Sequence, residues 1–92
     1  MDSRQLDEVE FELLKGTQTM VDMIKNRRKV VGISDDLFDD LLDYLDTHAQ
    51  SLYYVRAKDD NYISIYFEHP VDRENVDLML RQYIGDDDIT VG

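Results

Sequence analysis

The sequence has no cysteine, a single proline and only four glycines among 92 residues. The lack of cysteine excludes disulfide frameworks, thiolate zinc sites and cysteine nucleophiles. The scarcity of proline and glycine, with no low-complexity stretch or internal repeat, argues against a flexible linker. We therefore expect one domain over residues 1–92, with residues 86–92 as a short acidic tail.

Basic residues and long apolar runs are also scarce. Ten Lys and Arg stand against 21 Asp and Glu, a formal net charge of −11 that repels nucleic acid and anionic membranes. No apolar run approaches the roughly 20 residues that span a bilayer, and the opening MDSRQLDEVE lacks the basic and apolar regions of a signal peptide. We expect an intracellular, cytoplasmic protein that binds neither membranes nor nucleic acid directly.

Motifs for catalysis and for cofactor binding are missing. The sequence contains no GxGxxG, P-loop, HExxH or GxSxG pattern. His48 and His69 do not converge with carboxylates in any recognisable spacing. The Asp59–Asn61 and Asp86–Asp88 stretches lack the ligand register of an EF-hand loop. We therefore predict that the protein is not an enzyme and has no catalytic residues, no metal site and no cofactor.

Apolar spacing predicts two helices in the first half of the chain. Residues at spacings of three, four and seven favour a helix from Ser3 to Lys29, bent or broken at Gly16. The alternative places a strand at residues 9–13, which gives a ferredoxin-like β-α-β-β-α-β order. A second helix is predicted from Asp35 to Ala49, with Ser34 or Asp35 as its N-cap.

The second half of the sequence predicts a β-hairpin followed by a helix. Two β-branched and aromatic runs, SLYYVRAK and YISIYFEH, are joined by Asp59, Asp60 and Asn61. One hairpin face carries apolar residues at alternate positions: Tyr53, Val55, Ala57, Ile63, Ile65 and Phe67. Asp72 is placed to cap the last helix and Gly85 to end it, and residues 89–91 suit a short edge strand. The predicted fold is an α+β domain of order α-α-β-β-α, with helices on the Val55 and Ile65 face.

One face of the second helix is strongly acidic. At about 100° per residue, six aspartates share one half of the helix: Asp35, Asp36, Asp39, Asp40, Asp43 and Asp46. Like charges at i,i+4 cost a few tenths of a kcal/mol per pair, and no Lys or Arg lies between Ser34 and Gln50 to relieve them. Carboxylates about 5–6 Å apart approach the phosphate spacing of a DNA strand, about 3.4 Å along the axis.

This layout predicts a small regulatory protein that binds a basic protein surface through the acidic face. The partner would be a DNA- or RNA-binding protein, inhibited or regulated by a nucleic-acid mimic. The charge arrangement, though no motif, is similar to that of phage-encoded DNA-mimic inhibitors. A solubility role or adaptation to high salt is the other interpretation, since the chain has 16 Asp and only 5 Glu.

The opposite hairpin face offers an alternative interface. Tyr54, Tyr62 and Tyr66 alternate there with Arg56, and aromatic residues and arginine are enriched in interface cores. The alternative function is therefore an assembly module, a homodimer or a partner-binding face, unless the first helix covers these tyrosines. The basic cluster Lys25, Arg27, Arg28 and Lys29 is predicted to end the first helix, where cations complement the helix dipole.

Overall fold

The computed structural model describes residues 5–59, 62–84 and 89–90, which form four helices and four strands. In chain order these are α1 (Glu8–Leu13), α2 (Gln18–Lys25), β1 (Arg28–Val31), α3 (Asp35–His48), β2 (Tyr53–Asp59), β3 (Tyr62–Phe67), α4 (Pro70–Ile84) and β4 (Ile89–Thr90). None of these helices is long and apolar enough to cross a membrane. The predicted α+β class is confirmed, with its helical N-terminal part, central hairpin and C-terminal helix.

The strands form one sheet in the order β2-β3-β1-β4, and all three neighbouring pairs are antiparallel. From β1 to β4 the elements follow the ferredoxin-like β-α-β-β-α-β order. The first strand of that order is Arg28–Val31, whereas the alternative prediction had placed it at residues 9–13. At the outer edge of β2, the Leu6 amide donates to the Tyr53 carbonyl.

The N-terminal region is helical but is divided into two short helices, as a break at Gly16 would require. Gly16 has φ of +83°, a conformation that favours glycine. Asp7 and Glu10 form a capping box on α1, and the Thr17 side chain accepts a hydrogen bond from the Met20 amide at the start of α2. The helical interpretation of residues 8–14 is therefore confirmed over the strand alternative.

The predicted C-terminal end of this helical region was wrong. Helix α2 ends at Lys25, and Arg28 and Lys29 belong to β1. The β-branched Val30 and Val31 pair with Ile63 and Tyr62 of β3. This pairing favours a strand where the helix had been predicted to end.

The acidic helix and the hairpin lie where the sequence pattern placed them. The Ser34 hydroxyl accepts a hydrogen bond from the Leu37 amide and so caps α3. Strands β2 and β3 pair from Tyr53–Phe67 to Asp59–Tyr62. Three predicted features lie wholly or partly outside the described residues: the turn at Asp60 and Asn61, the helix stop at Gly85, and the tail at positions 86–88 and 91–92.

Helices cover both faces of the sheet, which produces two apolar cores. The larger core packs α3 and α4 on the predicted apolar face, including the fully buried Ile65 and Phe67. The smaller core lies between the N-terminal helices and the opposite face. Its buried members are Leu6, Phe11, Met20, Met23 and Tyr54.

Candidate protein-binding interface

The six aspartates predicted as the binding surface are all exposed on α3. Their positions span about 140° of the helix. The opposite side of α3 buries Leu37, Leu41 and Leu45 in the larger core. Burial of this leucine row holds the helix on the sheet and leaves the carboxylates directed to solvent.

Two ion pairs among the described residues lie away from this acidic surface. The ion pairs described by the structure join Lys15 to Glu12 at 2.7 Å and Arg28 to Asp77 at 2.8 Å. Neither includes an α3 aspartate. Lys29 instead lies over the Tyr62 ring, with its Nζ 4.1 Å from the ring centroid. The carboxylates are exposed to solvent, where salt screens their mutual repulsion.

A groove of about 640 Å³ runs between α3 and α4. Asp40 and Asp43 line it from α3, and Asn75, Leu78 and Gln82 line it from α4. The same groove includes Tyr44 and His48, whose rings stack with centroids 4.5 Å apart. Two of the six aspartates thus border a concavity, which the helical periodicity of α3 alone could not reveal.

Asp72 has a structural role that sequence reasoning missed. Its carboxylate is 2% exposed and accepts hydrogen bonds from the Gln50 amide at 2.9 Å, the Ser51 amide at 2.9 Å and the Ser51 hydroxyl at 2.5 Å. The prediction that Asp72 caps its own helix was wrong, since α4 already begins at Pro70. Asp72 instead joins the start of α4 to the segment that follows α3.

A buried arginine lies between β1 and α4, with two further arginines nearby. Arg28 is only 3% exposed and contacts Asp77, while Arg73 and Arg81 are close enough to disfavour its charge. Burial lowers the pKa of Arg28, the nearby Asp77 carboxylate opposes that shift, and the two other arginines add to it. These arginines thus place several of the few cations of the chain on the side of α4 away from the groove.

The tyrosines of the alternative interface make contacts within the chain. Tyr54 is buried and stacks on Phe11 with centroids 4.3 Å apart, and Tyr66 lies 5.0 Å from the same ring. The pKa of Tyr54 is raised mainly by burial and to a smaller extent by the negative charge of Glu8. Both effects favour the neutral hydroxyl. Tyr62 is half-buried beneath Lys29, and Arg56 is exposed. A partner on this face would meet Arg56 and the Tyr62 edge, while the N-terminal helices cover Tyr54.

The described residues bring no metal-ligand set together. Within 5–59, 62–84 and 89–90, no three His, Asp or Glu side chains are placed to hold a metal ion. His48 has its Nδ1 3.3 Å from the Tyr44 carbonyl, and His69 is exposed. The described side chains place the acidic face of α3 beside a groove.

No protein-family model matches the chain, and comparisons with curated proteins and with solved structures give no significant match.

Proposed function

We propose that this chain is a small regulatory protein that binds a basic surface of another protein through the acidic face of α3. The observation that supports this proposal is the row of six exposed aspartates on one face of α3, which lies apart from the ion pairs Lys15–Glu12 and Arg28–Asp77. The row spans about 17 Å from Asp35 to Asp46, at 1.5 Å per helical residue. That length suits a protein surface better than a small ligand.

The preferred partner is a DNA- or RNA-binding protein, because its binding groove is already basic and shaped for a row of anions. The chain would then occupy that groove as a nucleic-acid mimic and inhibit or regulate the partner. Direct binding of nucleic acid by the chain is disfavoured by its net charge of −11. Charge steering would make association fast and strongly dependent on ionic strength.

The test uses the double variant Asp39→Asn/Asp43→Asn as bait in a cell lysate beside the unmodified protein. Glu8→Gln/Glu74→Gln is the matched control, because it removes the same charge from exposed acids outside α3. We expect basic proteins to bind at about 50 mM salt, to be released at about 200 mM, and to be lost with the α3 variant alone.

A captured protein is then purified and titrated with duplex DNA or RNA in the presence of the chain. Competition between the chain and the nucleic acid for one site on the captured protein would support nucleic-acid mimicry. Equal capture by both double variants would show that α3 does not form the interface. Simultaneous binding of the chain and the nucleic acid to the captured protein would exclude mimicry.

A further inference from the structure

The groove between α3 and α4 has walls of different chemistry. Its α3 wall carries Asp40 and Asp43, whereas the α4 wall presents the amides of Asn75 and Gln82. Leu78 and Met79 supply apolar surface between them, and Leu78 is 57% exposed. The groove thus combines an anionic wall, hydrogen-bonding groups and an apolar contact.

Among the groove residues that the structure describes, the basic side chain is the His48 imidazole, which stacks on Tyr44. No Lys or Arg belongs to the groove residues that the structure describes, and Arg73 and Arg81 lie near Arg28 instead. A cationic ligand would therefore meet two carboxylates with no lysine or arginine beside them in the described lining. An exposed leucine beside them offers such a ligand an apolar contact that a purely electrostatic surface would lack.

We propose that this groove receives a basic amphipathic helix of the partner, with an apolar side chain against Leu78 and its Lys or Arg residues along Asp40 and Asp43. This inference rests on the proposed function and names the site within it. A polypeptide segment fits better than a small cation, because the acidic row continues beyond the groove along α3. Helix-in-groove recognition of this kind combines apolar anchors with flanking charge.

The first experiment measures binding of synthetic peptides by fluorescence anisotropy at about 50 mM salt. One peptide has Leu and Lys at helical spacing, so that its leucines share a face. A second has the same composition in scrambled order, and a third replaces every Leu by Gln. We expect the amphipathic peptide to bind about tenfold more tightly than either control, because only it presents an apolar face beside its charge.

The second experiment locates the bound peptide with paired variants. Leu78→Lys should weaken binding about tenfold, whereas Leu13→Lys, the same change at a leucine that is 75% exposed on α1, should leave it unchanged. Asp40→Asn/Asp43→Asn should cost more affinity than Asp35→Asn/Asp39→Asn, which removes equal charge from the side of α3 away from the groove. Circular dichroism verifies the fold of each variant. Leu78→Ala tests the same apolar contact without adding a charge.

Several outcomes would contradict the proposal that a partner helix docks in the groove. If both aspartate pairs cost equal affinity and Leu78→Lys behaves like Leu13→Lys, the ligand binds the whole acidic row; the proposed function then stands without the groove. Equal affinity for the three peptides would also contradict docking of an amphipathic helix in the groove. Absence of any peptide binding would do so as well, and the lysate and competition assays would then decide the proposed function separately.

Discussion

At the scale of single residues, Asp72 shows how one buried carboxylate organises neighbouring elements. Three donors from Gln50 and Ser51 converge on its two oxygens. A buried charge of this kind is tolerated when its lone pairs are satisfied by hydrogen bonds. Removal of the carboxylate leaves two backbone amides near the core without acceptors.

We expect Asp72→Ala to lower the free energy of unfolding by about 3 kcal/mol, since hydrogen bonds to charged groups contribute roughly 1.5–3 kcal/mol each and do not add fully. Asp72→Asn should cost less because it keeps one acceptor oxygen. Ser51→Ala, which removes only the hydroxyl donor, should cost about 1 kcal/mol. Urea denaturation measures all three; an alanine variant as stable as the unmodified protein would contradict this role.

The sequence pattern predicted individual residues well where the local period determines exposure. All six aspartates of α3 are exposed as predicted, since helical geometry relates them to the buried Leu37, Leu41 and Leu45. The buried contacts of Asp72 and Arg28 were not predicted, because their respective partners Ser51 and Asp77 lie far away along the chain. Local periodicity contains no information about such pairs.

At the scale of elements, α3 combines a favourable packing face with an unfavourable charge pattern. The i,i+4 pairs Asp35–Asp39 and Asp39–Asp43 place like charges on neighbouring turns. The helix persists because its Ser34 cap and its buried leucines offset the repulsion. Its stability therefore depends on tertiary packing more than on intrinsic helix propensity.

Neutralisation of two central charges should stabilise α3. We expect Asp39→Asn/Asp43→Asn to raise the free energy of unfolding by about 0.5 kcal/mol, because both repulsive pairs are removed. Chemical denaturation at low salt measures the change, and the gain should shrink in high salt, which screens exposed charges. A loss of stability would show that these carboxylates make favourable contacts within the chain.

Among the elements, β1 was the one whose type the sequence pattern misassigned. Its four residues, Arg-Lys-Val-Val, begin with two charges, and the buried position of Arg28 is tolerated because Asp77 lies 2.8 Å away. Helix α3 and the β2–β3 hairpin were predicted because each has a long, clear period. A short strand with an inward arginine has no such signal.

At the scale of the whole molecule, the net charge of −11 opposes the compact state. Salt should therefore stabilise the fold, whereas it should weaken the proposed binding through α3. Between about 10 mM and 0.5 M NaCl we expect the Tm to rise by roughly 5 °C, equivalent to about 1 kcal/mol for a domain of this size. Thermal unfolding followed by circular dichroism measures this shift.

A Tm independent of salt would show that self-repulsion is negligible. Loss of structure without molar salt would instead favour adaptation to a saline environment as the reason for the high aspartate content. In that case the acidity of α3 would belong to the surface in general, and the Glu8→Gln/Glu74→Gln control would disturb stability as much as the α3 variant does.

The Asp72 hydrogen bonds also bear on the proposed docking of a partner segment in the groove. One end of both groove walls is tied to the same carboxylate, through the segment after α3 and through the first turn of α4. This tie holds the walls together at that end before any ligand arrives, which would reduce the conformational entropy lost on the proposed docking. A narrower or wider binding segment would be rejected by geometry alone, so selectivity among similarly charged partners would arise from the interior of the protein as much as from its surface.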